Sequence, residues 1–327
     1  MKVFFIRFKK LIILLLITIN TQSIYSQNNI VVNNVPISAD STVTVTLRYC
    51  SNGGYYIINN ILDLRALSIL VFNDNTSRYS ANKITYNKTF KLTQDIVFSS
   101  CDNVYDFDSN GIYESNFLPI GGWIYDTVIN CTFPSNVAVP VYDTVVHFKN
   151  SGLAFFAGTF DGNGHTISGL KIYNSYEGTE TTNNFIGLFG FLKGLWYNKA
   201  VVRNLGLNYI ELQGHQYVGG VSGYGIHANI ENCYVNTSNI KGYRIVGGII
   251  GIISNDMELN SSYVKNSNIE GQDEIVGGLC GENHSSNEDT TITESPLTGN
   301  HRYAYFYSKI NKSYVNHTIV SGSLDVG

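Results

Sequence analysis

The chain has 327 residues, of which only 14% are charged, and a formal charge of −4 at neutral pH. Gly, Asn, Tyr, Ser, Thr and Ile crowd it, which is the profile of short strands and turns. That balance supplies no basic footprint for nucleic acid or for an anionic membrane surface.

Residues 1–26 read as an export signal rather than as fold. Lys2, Arg7, Lys9 and Lys10 form a basic start, "LIILLLITI" (Leu11 to Ile19) is a short apolar core, and "SIYS" (Ser23 to Ser26) offers a small residue before Gln27. An apolar run this short seldom spans a bilayer, so no membrane span is expected in the mature chain. No cysteine follows the cleavage point, which argues against a lipoprotein. Removing four cations, with no Asp or Glu among residues 1–26, takes the charge from −4 to −8. A secreted or cell-surface protein is expected.

Residues 27–80 are expected to hold an N-terminal strand and a capping helix. "STVTVTLRYC" (Ser41 to Cys50) alternates like a strand. "NNILDLRALSILVFND" (Asn59 to Asp74) reads as an amphipathic helix, with Asn60 as N-cap and Leu64, Leu67, Leu70 and Val71 at helical spacing. Such a helix would cover the open end of a stack of strands, whose backbone groups would otherwise lie unpaired.

Residues 81–165 read as first coils with long loops, beginning with a strand pair in "TFKLTQDIVFS" (Thr89 to Ser99). In "DFDSNG", Asp106, Asp108 and Asn110 occupy positions 1, 3 and 5 of a calcium-loop pattern, with Gly111 at position 6. Position 12 is Phe117 rather than Glu and no helices flank the loop, which excludes an EF-hand. A structural calcium ion or an Asx-rich turn remain the alternatives, and no other cofactor is expected. Five cysteines are scattered without a metal-ligand spacing, Cys101 with Cys131 being a candidate disulfide.

The stretch "FAGTFDGNGHTISGL" (Phe156 to Leu170) combines a Gly-rich turn with an acid and a histidine. Cradling a phosphate would need a helix after the glycines, and none is predicted. Asp161, Gly162, Asn163 and Gly164 therefore read as a tight turn leading into the first well-formed coil.

Residues 166–327 contain a repeat. Leu207, Val235, Val264 and Val315 recur with Leu212, Ile240, Ile269 and Val320 five positions later, then Gly214, Gly242, Gly271 and Gly322, then Val218, Val246, Val276 and Val326. Each unit holds three β-rich pieces, such as "IENCYV", "TSNIKG" and "VGGIIG", that bury an apolar face only by stacking on neighbouring units. The expected fold is all-β, a parallel β-solenoid with a short N-terminal helical cap. In it Leu207, Val235, Val264 and Val315 point inward, and Tyr234, Tyr263 and Tyr314 form an outward ladder. Ile167, Leu170 and Ile172 share the spacing of Ile230, Cys233 and Val235, and "IGLFG" (Ile186 to Gly190) takes the place of "VGGIIG". The repeat breaks off at "SLDVG", which suggests a truncated product or an edge that another chain pairs with.

With "FKLTQDIVF", "FLPIGG", "FAGTFDGNGHTISGLKI", "IGLFG" and the "VGG" units with "ENCYV", residues 50–327 resemble the GLUG-motif proteins, secreted or surface-exposed bacterial repeats. The resemblance implies a right-handed parallel β-helix, common in large adhesin-like surface proteins and in non-catalytic regions of some immunoglobulin-A-cleaving peptidases. No protease domain or C-terminal anchor of such proteins is recognisable in this chain.

The sequence contains no HExxH, and its histidines share no register. The loop from about Asn283 to Ser308 ends in Arg302, Tyr303, Tyr305, Phe306 and Tyr307, a cation with aromatic area suited to contact with proteins or sugars, unless the loop folds back and buries them. These features point to a non-enzymatic stalk or adhesive module whose partners are host glycans, matrix proteins or other cells. The alternative is a polysaccharide lyase or glycoside hydrolase on the same scaffold. It requires several of Asp95, Asp102, Asp106, Asp161 and Arg203 to converge in one groove.

Overall fold

Leu207 pairs with Val235, Val235 with Val264 and Val264 with Val315 across adjacent parallel strands, so the repeat spacing becomes hydrogen-bonded register. The structure, a computed structural model, describes residues 28–39, 41–74, 79–107, 112–122, 154–174, 185–273, 275–284, 308–322 and 325–326. The expected export signal, residues 1–26, lies outside the described residues. Among them, no helix is long and apolar enough to cross a membrane.

Each complete repeat contributes five short strands, as in Ala228–Glu231, Tyr234–Asn236, Asn239–Gly242, Ile245–Gly247 and Ile250–Ser254. The three pieces expected per unit are subdivided, because a corner breaks "IENCYV" at Asn232 and Cys233 and another breaks "VGGIIG" at Gly248 and Ile249. Every strand pairs with its counterpart in the next repeat, giving parallel sheets of eight, six, five, five and four strands, of which the eight-stranded one ends in an antiparallel pair. This mostly-β arrangement, with one α-helix among the described residues, is consistent with a parallel β-helix.

Apolar columns fill the space between the sheets. Phe160, Val202, Ile230 and Leu259 form one column, Ile167, Leu207, Val235 and Val264 a second, and Ile172, Leu212, Ile240 and Ile269 a third. All twelve are buried, each removal from water contributing about 1.5–3 kcal/mol. Two expectations need correction. Ile167 pairs with Leu207 and so belongs to the Val235 column, one corner away from the Ile230 column that its spacing suggested. The same 0, +3, +5 pattern recurs at Ile230, Cys233, Val235 and at Val235, Ser238, Ile240, so spacing alone cannot separate the two corners. Val315 keeps its register but is 39% exposed, since it sits on the outermost described coil.

The corners are built from left-handed residues followed by hydroxyls. Tyr209, Thr237, Asn266 and His317 occupy one column at φ 53°, 51°, 51° and 47°. The next position carries Ser238, Ser267 and Thr318, whose hydroxyls donate to the carbonyl two residues back. The Ser238 and Ser267 hydroxyls also accept from the preceding coil, at Ile210 N and Ser238 N. Buried backbone groups that the bend removes from the sheets are satisfied in this way.

The "DGNGH" stretch is a turn, as expected. Asn163 and Gly164 adopt φ 56° and 81° between strands Thr159–Asp161 and Thr166–Ser168, and Asp161 Oδ1 accepts from Asn163 N at 2.9 Å.

The helix spans Ile61–Asn73, and Asn60 caps it by accepting from Asp63 N. Its polar face, however, is not solvated. Arg65 is 2% exposed and donates to the carbonyls of Pro36, Asp102 and Asn116, while Ser68 Oγ donates to Leu118 O. A hairpin of strands Ile30–Ser38 and Ser41–Leu47 packs over the helix, and its first strand carries no clean alternation in sequence.

Candidate binding surface

Because side chains alternate along a strand, every inward column has an outward neighbour, and register carries it from coil to coil. On the six-stranded sheet Tyr234, Tyr263 and Tyr314 stack with ring centroids 5.1 Å apart and planes within 8°. This is the expected ladder. Alongside it, Asn236 Nδ2 donates to Asn208 Oδ1 and Asn266 Nδ2 to Asn236 Oδ1, each at 3.2 Å. The Tyr234 ring lies over Gly206 of the preceding coil, where a Cβ would come within 2.3 Å of it, so only glycine lets the first ring settle.

Around the next corner the outer face carries Lys171, Glu211, Asn239 and Asn268 in one column and Tyr173, Gln213, Lys241 and Glu270 in another. Asn268 Nδ2 donates to Asn239 Oδ1 at 3.2 Å, and Lys241 pairs with Glu270 at 2.9 Å. Tyr173 Oη donates to Glu211 Oε2 at 2.9 Å; burial first, and that carboxylate second, push its phenol up to about 12. Between the two faces runs an open groove of about 600 Å³, its floor and walls including Tyr209, Glu211, Thr237, Asn239 and Asn268. Tyr209 is 63% exposed along it. The lining sets the amides of Asn239 and Asn268, the Thr237 hydroxyl and the Glu211 carboxylate beside the Tyr209 ring and Ile319, which suits a ligand with both polar and apolar faces.

Three of the acids named for the enzyme alternative, Asp95, Asp102 and Asp161, accept hydrogen bonds in turns. Asp161 meets Arg203 at 3.0 Å and also accepts from Asn204 Nδ2. Burial alone would raise its carboxyl, but hydrogen bonds from Asn204 and Asn163 and the Arg203 charge together hold it below the usual range. Asp95 accepts from Thr166 N at 2.8 Å, which holds its carboxyl low, and meets His165 at 3.2 Å. Asp102 caps its own short turn by accepting from Ser99 N and Ser99 Oγ. Burial pushes the Cys233 and Cys280 thiols up to about 12, which favours the protonated thiol at neutral pH.

Other expected site residues are only partly placed. Asp106 is half-buried, whereas Asp108 and Asn110 lie outside the described residues. Among the described residues no group of three or more His, Cys, Asp or Glu could hold a metal ion. Arg302, Tyr303, Tyr305, Phe306 and Tyr307 all lie outside the described residues. Cys101 is an exposed free thiol, and its candidate partner Cys131 lies outside them too. The groove itself was missed by sequence reasoning, since Tyr209, Asn239 and Asn268 gain meaning only when adjacent coils are superposed.

No family model matches the chain. It is 28% identical over 226 residues to halomucin from Haloquadratum walsbyi (strain DSM 16790 / HBSQ001). The match covers 68% of this chain and 2% of halomucin, so the chain spans a small fraction of that relative. Among solved structures it resembles a provisionally assigned immunoglobulin A1 protease from Bacteroides ovatus, at 16% identity and a TM-score of 0.43. That likeness covers 84% of this chain and 65% of the other.

Proposed function

We propose that the protein is a secreted or surface-exposed right-handed parallel β-helix of the GLUG-motif type. It acts without catalysis, as an adhesive or stalk module that contacts glycans, matrix proteins or other cells. The observation that carries this reading is the register-locked outer surface. Tyr234, Tyr263 and Tyr314 form one fixed row, and Tyr209, Asn239 and Asn268 line a groove beside it. A stack of coils gives length with one folding unit and repeats its surface groups at a constant interval. The export signal and the likeness to halomucin support a surface or secreted setting.

The test is a glycan and matrix-protein array probed with residues 27–327, read together with a reducing-end assay on each glycan bound. Binding without new reducing ends is the expected result. New reducing ends would replace this reading with a polysaccharide lyase or glycoside hydrolase.

A further inference from the structure

Between Lys193 and Ala200 the chain spends six residues, Gly194 to Lys199, where the following coil needs only His227 between Ile226 and Ala228. The pairing on both sides is unbroken, so the core does not require this excursion. It carries Trp196 and Tyr197, which are 54% and 60% exposed. Their rings meet edge to face, with centroids 5.1 Å apart and planes at 85°. Two large apolar rings held in water at a site that packing does not demand mark a contact surface.

The turn is rigid. Leu195 and Asn198 exchange two backbone hydrogen bonds of 2.9 Å, and buried Leu195 anchors the base. Ser80 Oγ donates to Gly194 O at 2.9 Å, and Asn198 Nδ2 donates to Asn87 Oδ1 at 2.6 Å. That last bond leaves Asn198 Oδ1 as an acceptor and Asn87 Nδ2 as a donor at the same turn. The neighbouring cation is already engaged, Lys199 lying 3.2 Å from Asp256 and 3.4 Å from Glu258.

We propose that Trp196, Tyr197, Asn87 and Asn198 form a binding site for a neutral saccharide. The apolar face of a pyranose ring stacks on the Trp196 indole, the Tyr197 ring standing perpendicular to it forms a wall, and the two amides take ring hydroxyls. Rigid aromatic side chains supply such contact at little cost in conformational entropy. A neutral ligand is favoured over an acidic one because Lys199, the cation next to Asn198, is already paired with Asp256 and Glu258. A bilayer surface fits less well, since the rings are bordered by amides and the chain is net negative.

This site rests on the adhesive reading, and the experiment separates the two. The probe is an array of neutral oligosaccharides ending in galactose, glucose, mannose or N-acetylglucosamine, with phosphatidylcholine vesicles as a second arm. Trp196→Ala and Asn87→Ala are compared with the unaltered protein after circular dichroism and melting have shown that the fold is kept. The expected result is saccharide binding that falls at least tenfold in both variants, together with a saccharide-induced change in tryptophan fluorescence that Trp196→Phe abolishes. If the unaltered protein binds saccharides and both variants bind equally well, the site is wrong while the adhesive reading stands. Binding to no glycan and no matrix protein overturns both. Trp196-dependent binding to vesicles alone also overturns the saccharide assignment.

Discussion

Arg65 Nη1 donates to the carbonyl oxygen of Pro36 at 3.1 Å, joining the interior of the helix to the hairpin that covers it. The same guanidinium reaches Asn116 O at 3.0 Å and Asp102 O at 2.5 Å, so one side chain fastens three separate segments. Burial lowers its pKa from that of a solvated guanidinium. Arg65→Ala would remove the donor from the buried carbonyls of Pro36 and Asn116 and from the half-buried one of Asp102, at about 1–3 kcal/mol for each buried group. Chemical denaturation should therefore show a loss of about 3 kcal/mol or more. Arg65→Lys should recover only part of it, because a single ammonium cannot reproduce the fork.

Asp161 ties two coils through Arg203, and its lowered pKa sets the sign of a pH effect. A carboxyl whose folded pKa lies below its unfolded value near 3.8 stabilises the fold fully above that value. The contribution fades as the pH falls through the folded pKa. Asp161→Asn should therefore melt lower than the unaltered protein at neutral pH, and the gap should narrow in acid. A gap independent of pH would mean that the Asp161 charge does not contribute.

Thr237 sits at φ 51°, where a β-branched side chain is strained. Neighbours in its column include Asn266 and Gly169, residues that tolerate this conformation. Replacement by Asn or Gly should relieve the strain and stabilise the fold by about 1 kcal/mol, which differential scanning calorimetry would read as a rise of a few degrees in Tm. Substitution of Thr237 must also leave saccharide binding at Trp196 unchanged, since the two lie at different corners.

The strands and columns were legible in the sequence because a repeat writes the same burial pattern several times, and Val235, Ile240 and Val246 each find a partner at constant spacing. The Ile167 alignment failed for the same reason, because two corners of one coil share one spacing. The burial of Arg65 and Ser68 was not legible, since nothing local announces that carbonyls from Pro36, Asn116 and Leu118 will converge on them. The groove at Tyr209 and the turn at Trp196 were hidden for a different reason. The first is assembled from four coils, and the second shows only as surplus length once the true register is known.

Val235 and Val315 belong to one column but differ in burial, and the difference makes a paired test. Val235 is fully buried between Leu207 and Val264, so Val235→Asp places a charge in the core with no partner. The alternative to several kcal/mol of desolvation is opening of the coils, and the repeat region should lose its β-type circular dichroism. Val315→Asp introduces the same charge at a position 39% exposed, where water remains available, and should cost about 1 kcal/mol or less. Equal melting of the two variants would contradict the inward column on which the whole register rests.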